Sequence, residues 1–418
     1  MLKKISLVMT AVILFTACMP YISSSTHKTT IKSSLDEGFP EYFNWHDMDG
    51  VDWTTPAKDQ GRYGACGLFG SVGALESVIK IREQCPDFNP DLSEQFLISC
   101  MPYVNSGSSI YNVFHAINET GIPLESCLPY QASDEVPCSS NECGLEKNVP
   151  IKEFNCYHPS YANDPPTKDE IRVDIKEKLM EKGPITFEIF NTMYIKPLSR
   201  WGLTHHSPDD YYSGDVSLDD YLVNHGVTVV GWKDIPDKIE SGGYWIIKNS
   251  WGDKWGYDGF FNLEYGSLNC DMGRIGWVDY NPDDYNWAPI GKPQLSEPEE
   301  TENGIKYTFS SIDPEGDQVY YKFSWGDNTE SEWVGPYESG GECTASHKYQ
   351  DNKKYAVKVK AKDVYDSESE WMPEETKKSF PIFSGSFNDR IIFKIKQIFP
   401  RLYILFEGVM PIKTCGCE

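Results

Sequence analysis

The stretch Gln60-Gly61-Arg62-Tyr63-Gly64-Ala65-Cys66-Gly67-Leu68-Phe69 decides most of what this chain can be. It places a cysteine directly before an apolar run with helical spacing, so a helix is predicted from Gly67 to Arg82. Far downstream stand Asn224-His225-Gly226 and Lys248-Asn249-Ser250-Trp251-Gly252. Together these stretches contain a thiol, an imidazole and side-chain amides, the groups that nucleophilic catalysis by cysteine uses.

Cys66 is the predicted nucleophile. Only the thiolate attacks, and an ordinary cysteine with a pKa of about 8.5 is mostly protonated at neutral pH. The positive end of the predicted helix dipole and an imidazolium from His225 are both expected to lower the pKa of this thiol. His225 would take the thiol proton and later give a proton to the leaving amine, as general base and then general acid.

Two side-chain amides complete the predicted catalytic set. Asn249 would orient the ring of His225 without neutralising the ion pair. Gln60 would donate to the developing oxyanion together with the backbone N–H of Cys66, and one such donor is worth about 10²–10³ in rate. Any one of these residues alone is more often structural, and it is the set in this order that predicts catalysis.

Residues 41–278 resemble the papain family of cysteine peptidases. The resemblance rests on Trp53-Thr54-Thr55-Pro56-Ala57-Lys58-Asp59-Gln60-Gly61, on Cys127-Leu128-Pro129-Tyr130 and on Asn249-Ser250-Trp251-Gly252-Asp253-Lys254-Trp255-Gly256. It implies an α+β, two-lobed papain-like fold, with a helical left lobe and a β-rich right lobe facing each other across a cleft. It also implies an endopeptidase that hydrolyses polypeptides through an acyl thioester and needs no cofactor or metal.

The resemblance assigns further residues. It places Gly107, Ser108, Asn224 and Trp251 in substrate binding, with Trp251 also shielding the bond between the catalytic amide and imidazole from water. It implies a disulfide between Cys100 and Cys138.

Three departures from the family pattern are visible in the sequence. Tyr63 and Asn105 replace both cysteines of one family disulfide, so that bridge is expected to be absent. Ser108 replaces the second glycine of the substrate strand, which predicts a narrower adjacent pocket. Gly67 replaces an aromatic residue, which predicts less bulk beside the nucleophile and leaves fine specificity open.

The first 17 residues are typical of an export signal, with two lysines before an apolar run too short to span a bilayer. Phe15-Thr16-Ala17-Cys18 resembles a lipobox, in which Cys18 would be lipidated, and a plain signal peptide cut near Ala17 is the alternative. Either interpretation predicts an exported protein at the cell surface or outside the cell. Residues 18–40 are predicted to be a polar tether.

The pattern changes after the predicted peptidase region. Residues 279–300 are rich in proline and acids and are predicted to be a linker. Residues 301–380 alternate apolar and polar side chains, which predicts a small all-β sandwich. Ile312-Asp313-Pro314-Glu315-Gly316-Asp317 and Trp325-Gly326-Asp327-Asn328-Thr329 resemble the PKD-type Ig-fold modules of secreted microbial enzymes, which implies a spacer or a module for a cell-surface, carbohydrate or protein ligand. Residues 381–418 form an apolar and basic tail. Two interpretations of this tail stay open: it lies on a membrane surface, or it packs on the sandwich.

The net charge of the chain limits which classes of partner it can bind. Its 418 residues carry 38 basic and 63 acidic side chains, a net charge of −25, which argues against nucleic acid. Membrane contact is expected only through a lipid anchor or the tail. Two alternatives to a peptidase remain: a non-catalytic surface adhesion protein on the same fold, favoured by Gly67 and by the short segment before residue 41, and an acyl transferase of the same chemistry.

Overall fold

The computed structural model describes residues 38–138, 148–159, 166–190, 197–214, 223–237, 239, 241–271, 273–291, 298–350 and 355–372. The predicted signal peptide, the lipidation site Cys18, most of the tether and the tail at 381–418 lie outside these residues. No helix in the described part of the chain is both long and apolar enough to cross a bilayer.

The helices and strands have the following bounds. The helices are α1 (Cys66–Arg82), α2 (Glu94–Cys100), α3 (Ile110–Thr120), α4 (Lys168–Lys182) and α5 (Leu198–Trp201). The strands of the peptidase region are β1 (Tyr42–Asn44), β2 (Glu153–Tyr157), β3 (Ile185–Ile189), β4 (Tyr211–Tyr212), β5 (His225–Asp234), β6 (Gly243–Lys248), β7 (Phe260–Glu264) and β8 (Ile275–Asp279). The strands that follow are β9 (Ile290–Gly291), β10 (Glu299–Thr301), β11 (Gly304–Ile312), β12 (Val319–Ser324), β13 (Val334–Tyr337), β14 (Glu342–His347) and β15 (Lys358–Lys362).

Helix α1 runs through the centre of the peptidase region. It begins at Cys66, one residue before the predicted start, and nearly all of its residues are buried. Three glycines in one helix are unfavourable for helix propensity, but burial and close packing override that preference here. At Gly70 an added Cβ would lie 3.0 Å from the backbone nitrogen of Val227 on β5, so the glycine lets helix and sheet touch backbone to backbone.

The right lobe is an eight-stranded sheet in the order β2-β8-β3-β5-β6-β7-β4, with β1 also paired to β5. All of its pairs are antiparallel except β4 with β7. All six residues of β6 and the first eight of β5 are buried. Helices α1 to α3 precede most of this sheet along the chain, and His225 lies at the first position of β5.

The region after residue 289 is all-β in the described residues. One sheet has the order β10-β11-β14 with β9 also paired to β11, and the other has the order β13-β12-β15. Side chains from both sheets form one core, in which Val319, Tyr321, Phe323 and Trp325 are buried as their alternation predicts.

The segment predicted as a linker differs from that expectation in its first half. Trp287 is 3% exposed and belongs to the hydrophobic core of the left lobe. Its ring meets Phe88 edge-on at 4.8 Å between centroids. Three residues later β9 begins, and it pairs with β11 of the sandwich. The part of this segment around Trp287 is therefore packed rather than exposed.

Candidate active site

The thiol of Cys66 lies at the junction of the two lobes. Cys66 is the first residue of α1, and Ala65 before it has no side chain that could cap the helix. The backbone N–H groups of Cys66 and Gly67 therefore face the thiol and favour a negative charge there. Across the cleft, the Sγ of Cys66 donates to the carbonyl of Asn224 at 3.9 Å. The residue before His225 is therefore already in contact with the predicted nucleophile.

The imidazole of His225 is held by Asn249. Nε2 of His225 lies 2.9 Å from Oδ1 of Asn249, which leaves Nδ1 as the ring nitrogen for the thiol. The backbone N–H of Ser250 also donates to Oδ1 of Asn249 at 2.9 Å, so the amide has one defined orientation. Trp251 stacks on the imidazole with centroids 4.8 Å apart, and both His225 and Asn249 are buried. The indole therefore covers one face of the imidazole.

Burial disfavours the charged forms of both Cys66 and His225. Burial raises the pKa of the Cys66 thiol, although the backbone around Gly226 and Gly67 donates hydrogen bonds that oppose this. Burial also lowers the pKa of His225 to about 4, against the opposing hydrogen bond to Asn249. Each group by itself thus favours its neutral form. An ion pair forms here only if proton transfer creates both charges together, so that each stabilises the other.

Gln60 is fixed by residues that the sequence did not single out. The hydroxyl of Ser250 donates to Oε1 of Gln60 at 2.6 Å, and the hydroxyl of Tyr130 donates to the backbone carbonyl of Gln60 at 2.9 Å. Nε2 of Gln60 donates one hydrogen to the carbonyl of Tyr63 at 2.9 Å, and the second hydrogen of this NH₂ group is the one available to an oxyanion. Ser250 and Tyr130 both belong to quoted motifs, but their contacts with Gln60 become visible only in the fold.

Gly67 does not leave a space beside the nucleophile. An added Cβ would lie 2.3 Å from the carbonyl oxygen of Ser108, and at Gly226 an added Cβ would lie 2.7 Å from Cα of Gly67. The backbones of α1, of the loop at Ser108 and of β5 therefore occupy the volume in which a side chain would stand. The expectation of less bulk at this position was wrong, because it assumed an unchanged backbone around it.

Hydrogen bonds connect the two loops where the family disulfide is missing. The N–H of Gly107 donates to the carbonyl of Gly64 at 2.8 Å, which joins the nucleophile loop to the predicted substrate strand. The hydroxyl of Ser108 accepts from the N–H of Asn105 at 2.8 Å. Gly107 is exposed with a φ of +80°, so its backbone is open to a ligand, while Ser108 is buried. A disulfide joins Cys100 and Cys138.

Among the described residues, no group of three or more histidine, cysteine, aspartate or glutamate side chains is arranged to hold a metal ion.

Asn224 is exposed beside Cys66, and Trp251 is partly exposed over His225. The residues assigned to substrate binding from the sequence therefore border the same short stretch of cleft.

Comparisons with known proteins agree with this geometry. The family model of the papain family cysteine proteases matches residues 39–276. The chain is 29% identical over 264 residues to a viral cathepsin of Heliothis zea nuclear polyhedrosis virus, covering 60% of this chain and 61% of the relative. It is 30% identical over 252 residues to the thiol protease aleurain of Arabidopsis thaliana, covering 59% of this chain and 60% of the relative. In both cases the match spans less than two thirds of the relative's length.

A solved structure, that of the digestive procathepsin L2 proteinase from Tenebrio molitor larval midgut, is similar with a TM-score of 0.45 and 23% identity, over 58% of this chain and 69% of that one. The family match extends over more than half of the chain and includes all four residues of the site. The chain belongs to the papain family of cysteine proteases.

Proposed function

We propose that this protein is a cysteine endopeptidase in which Cys66 is the nucleophile and His225 the general base and acid. The observation that carries the proposal is the hydrogen bond of 2.9 Å between His225 and Asn249, under Trp251 and across the cleft from a thiol at a helix N-terminus. A histidine held in one tautomer beside such a thiol is the arrangement that activates sulfur for attack on a carbonyl.

The reaction follows from the positions of these groups. Nδ1 of His225 takes the proton of the thiol, and the thiolate of Cys66 attacks the peptide carbonyl. The resulting oxyanion accepts from the backbone N–H of Cys66 and from the second amide hydrogen of Gln60. The imidazolium then protonates the leaving amine, which leaves a thioester on Cys66. Water, deprotonated by His225, hydrolyses the thioester and restores the thiol.

Cysteine labelling tests the ion pair. Purified protein is treated with iodoacetamide at pH 5 and pH 7, and the labelled cysteines are identified by peptide mapping. Cys66 is expected to react fast at both values, because a thiolate paired with an imidazolium persists at acid pH. Cys156 serves as an internal reference, since burial raises its pKa to about 12 and its reaction should increase with pH.

Matched variants sharpen this test. His225→Ala should abolish the fast reaction at pH 5, whereas His115→Ala, which changes an exposed imidazole on α3, should leave it intact. Slow labelling of Cys66 with the pH dependence of an ordinary thiol would instead support the adhesion alternative. Product analysis with an added amine separates hydrolysis from acyl transfer, because only a transferase passes most of the acyl group to the amine.

The parts outside the catalytic region are assigned by the same proposal. The export signal, with or without lipidation at Cys18, would place the enzyme at the cell surface or outside the cell. The β-rich region after residue 289, which we interpret as a PKD-like module, would serve as a spacer or as a module for a surface ligand. Its two sheets around a single aromatic core support that interpretation.

A further inference from the structure

Three strands of the large sheet end in a row beside the nucleophile. Gly226 on β5 lies opposite Glu188 on β3, and the N–H of Glu188 donates to the carbonyl of Arg274 at 2.9 Å, one residue before β8. Residues opposite each other in a ladder place their side chains on the same face of the sheet. Two positions along β5, the hydroxyl of Thr228 bonds to α1, so this face is the one that meets the helix. The row Gly226, Glu188 and Arg274 therefore leads away from the start of α1.

The first place in this row has no room for a side chain. Gly226 touches Gly67 backbone to backbone, and the carbonyl of Ser108 closes the other side of Gly67. The next place belongs to Glu188, whose Oε1 accepts from the N–H of Ile110 at 3.1 Å. Glu188 thus bridges the sheet and the loop that carries the predicted substrate strand. Burial is the largest cause that raises the pKa of the Cys66 thiol, and the negative charge of Glu188 raises it further.

Glu188 and Arg274 differ in what they offer to a ligand. Nη1 of Arg274 lies 3.2 Å from Oε1 of Glu188. The side chain of Glu188 is 11% exposed, whereas that of Arg274 is 28% exposed. The guanidinium has five N–H donors in a planar fork, and among the described residues its bond to Glu188 uses Nη1 alone. The carboxylate is therefore occupied and covered, and the guanidinium is the member that keeps donors and access.

The path of a substrate decides which of its side chains reaches this pair. The scissile carbonyl must lie at Cys66, and the chain before it would run along Gly107 and Ser108. Successive side chains of an extended peptide point to opposite sides. The side chain of the scissile residue cannot point toward the sheet, because Gly226 and Gly67 touch backbone to backbone beside Cys66. The side chain of the residue before it therefore points toward the sheet, where Glu188 and Arg274 follow Gly226 in the row.

We propose that Arg274, positioned by Glu188, determines the specificity of this protein by selecting substrates whose residue before the scissile residue carries a carboxylate or carboxamide. This inference rests on the proposed peptidase function. An acceptor side chain completes the hydrogen bonding of the guanidinium, whereas an aliphatic side chain leaves a desolvated donor unpaired, and unpaired buried donors are the main source of discrimination between similar substrates. A basic side chain is disfavoured because Arg274 already pairs with the carboxylate.

Competition between matched peptides tests the proposal on the full chain. Four fluorogenic peptides differ only at that residue, which is Glu, Gln, Leu or Lys. The ratio of kcat/KM values in a mixture does not depend on the amount of active enzyme, so partial misfolding of a variant does not affect it. We expect Glu and Gln to be preferred over Leu by about tenfold or more, and Lys to be the poorest.

The variants separate binding from positioning. Arg274→Met should reverse the preference in favour of Leu, and Arg274→Lys should keep a preference for Glu but lose most of that for Gln, because lysine lacks the planar fork. Glu188→Gln keeps an acceptor for Ile110 but not the ion pair, and should reduce the ratio of Glu to Leu without abolishing cleavage. Arg200→Met, which removes an exposed arginine on α5, is the control and should leave the ratios unchanged.

The outcomes distinguish this inference from the proposed function. Cleavage of all peptides with a preference for Leu that Arg274→Met does not change would overturn the inference and leave the peptidase intact. Absence of cleavage together with absence of fast labelling at Cys66 would overturn the peptidase, and the inference with it.

Discussion

Asn249 stands directly after β6, where the strand ends beneath the indole of Trp251. Its amide is the only contact among the described residues that directs the ring of His225 through Nε2. We expect Asn249→Ala to lower kcat/KM by about 10²-fold, because the imidazole would then sample orientations and tautomers that do not serve the thiol. The measurement is the steady-state rate on the preferred peptide, normalised by titration of Cys66 with an epoxide inhibitor.

A control for this variant keeps the fold and changes a nearby amide. Asn262→Ala alters a buried amide on β7 that bonds to the loop carbonyls of Pro208 and Asp210, away from His225. It should lower the free energy of unfolding and leave the rate per active site unchanged. An equal loss of rate in both variants would mean that Asn249 acts through stability and not through the imidazole.

Gly67 gives a second prediction at the scale of one residue. Gly67→Ala places a Cβ 2.3 Å from the carbonyl oxygen of Ser108, so either α1 or the loop must shift. We expect the free energy of unfolding to fall by about 1–3 kcal/mol, in spite of the better helix propensity of alanine. Thermal unfolding measures this. Ser71→Ala in the same helix is the control, because it removes a buried hydroxyl without a partner and should be neutral or stabilising.

At the scale of elements, α1 is tied to its surroundings by a buried carboxylate. Glu76 accepts from Lys58 Nζ at 2.7 Å, from the N–H of Leu92 at 3.0 Å and from the hydroxyl of Thr55 at 2.8 Å. The same hydroxyl accepts from Lys248 Nζ at 2.7 Å. Lys248 is the last residue of β6 and precedes Asn249, so one network connects the central helix to the strand that presents the catalytic amide.

Neutralising Glu76 should loosen this connection. Burial already lowers the pKa of Lys248 to about 8, with the negative charge of Glu76 opposing the shift. Glu76→Gln removes that charge and is expected to lower the free energy of unfolding by about 3 kcal/mol, since buried Lys248 loses the negative charge that opposes its desolvation most strongly. Chemical denaturation at pH 7 measures the loss. Glu177→Gln, an exposed change on α4, should stay within about 0.5 kcal/mol of the parent, and an equal effect of both would exclude a role for the network.

At the scale of the whole molecule, the peptidase region and the sandwich meet in a seam rich in carboxylates. Nε1 of Trp287 donates to the hydroxyl of Tyr280 at 3.0 Å, which donates to Glu83 at the end of α1 at 2.7 Å. The N–H of Trp287 donates to Glu315 of the sandwich at 2.9 Å. Trp287 is thus linked to one acid on each side of the seam, to Glu83 through the hydroxyl of Tyr280 and to Glu315 through its backbone N–H.

Burial favours the protonated forms of the carboxyl groups in this seam. Burial raises the pKa of Glu315 to about 8 and that of Asp313 to about 6, and it also raises the pKa of Glu83. The titratable groups that face these acids are Asp317 and Asp363 from the sandwich, and Tyr280, Asp283 and Tyr285 from the connecting segment. The charges that act on Glu315 and Asp313 are thus negative ones, and proximity to them favours the neutral form.

The seam should therefore weaken as the pH rises. The ordinary pKa values of these acids are 3.8 for Asp313 and 4.5 for Glu315, so between those values and about 6 and 8 the folded protein binds protons that the unfolded chain does not. Stability from these groups is complete below pH 4 and is lost as the pH rises through 6 to 8, by at most about 1.4 kcal/mol per pH unit for each proton. Thermal unfolding from pH 5 to 8.5 measures the slope.

A neutral variant isolates the contribution of Glu315. Glu315→Gln cannot ionise and keeps an acceptor for the N–H of Trp287, so we expect a flatter dependence of stability on pH between 6 and 8. Glu342→Gln, an exposed change on β14, should keep the parent slope. A parent protein whose stability rises across this range would contradict the assignment of raised pKa values to the seam.

The features that could be read from the sequence are those with a local signal. Helix α1 was predicted to within one residue, because apolar side chains recur at helical spacing. The buried positions of β12 follow from strict alternation. The residues predicted to be catalytic each stand in a distinctive local stretch, and the structure brings His225 against Asn249 and Asn224 against Cys66. These features depend on residues that are close together in the sequence, so they can be recognised without a structure.

Other features could not be predicted, because they depend on which distant segments meet. Trp287 lies in a proline-rich stretch that is typical of linkers, and contacts with distant residues such as Phe88 bury it. Gly67 suggests free space until the carbonyl of Ser108 is seen to fill it. Glu188 and Arg274 are ordinary charged residues 86 positions apart, and only the pairing of β3 with β8 makes them one ion pair.

The sequence by itself thus determined the family chemistry, a thiol at a helix start with an imidazole and two amides, since these groups are recognisable by type and by local setting. The tertiary structure alone decided what surrounds that chemistry: a crowded backbone at Gly67, an ion pair of Arg274 with Glu188 on the sheet, and a seam of acids around Trp287. The physical reason is that covalent neighbours set residue type and periodicity, whereas burial, pKa and access depend on contacts that only the folded chain creates.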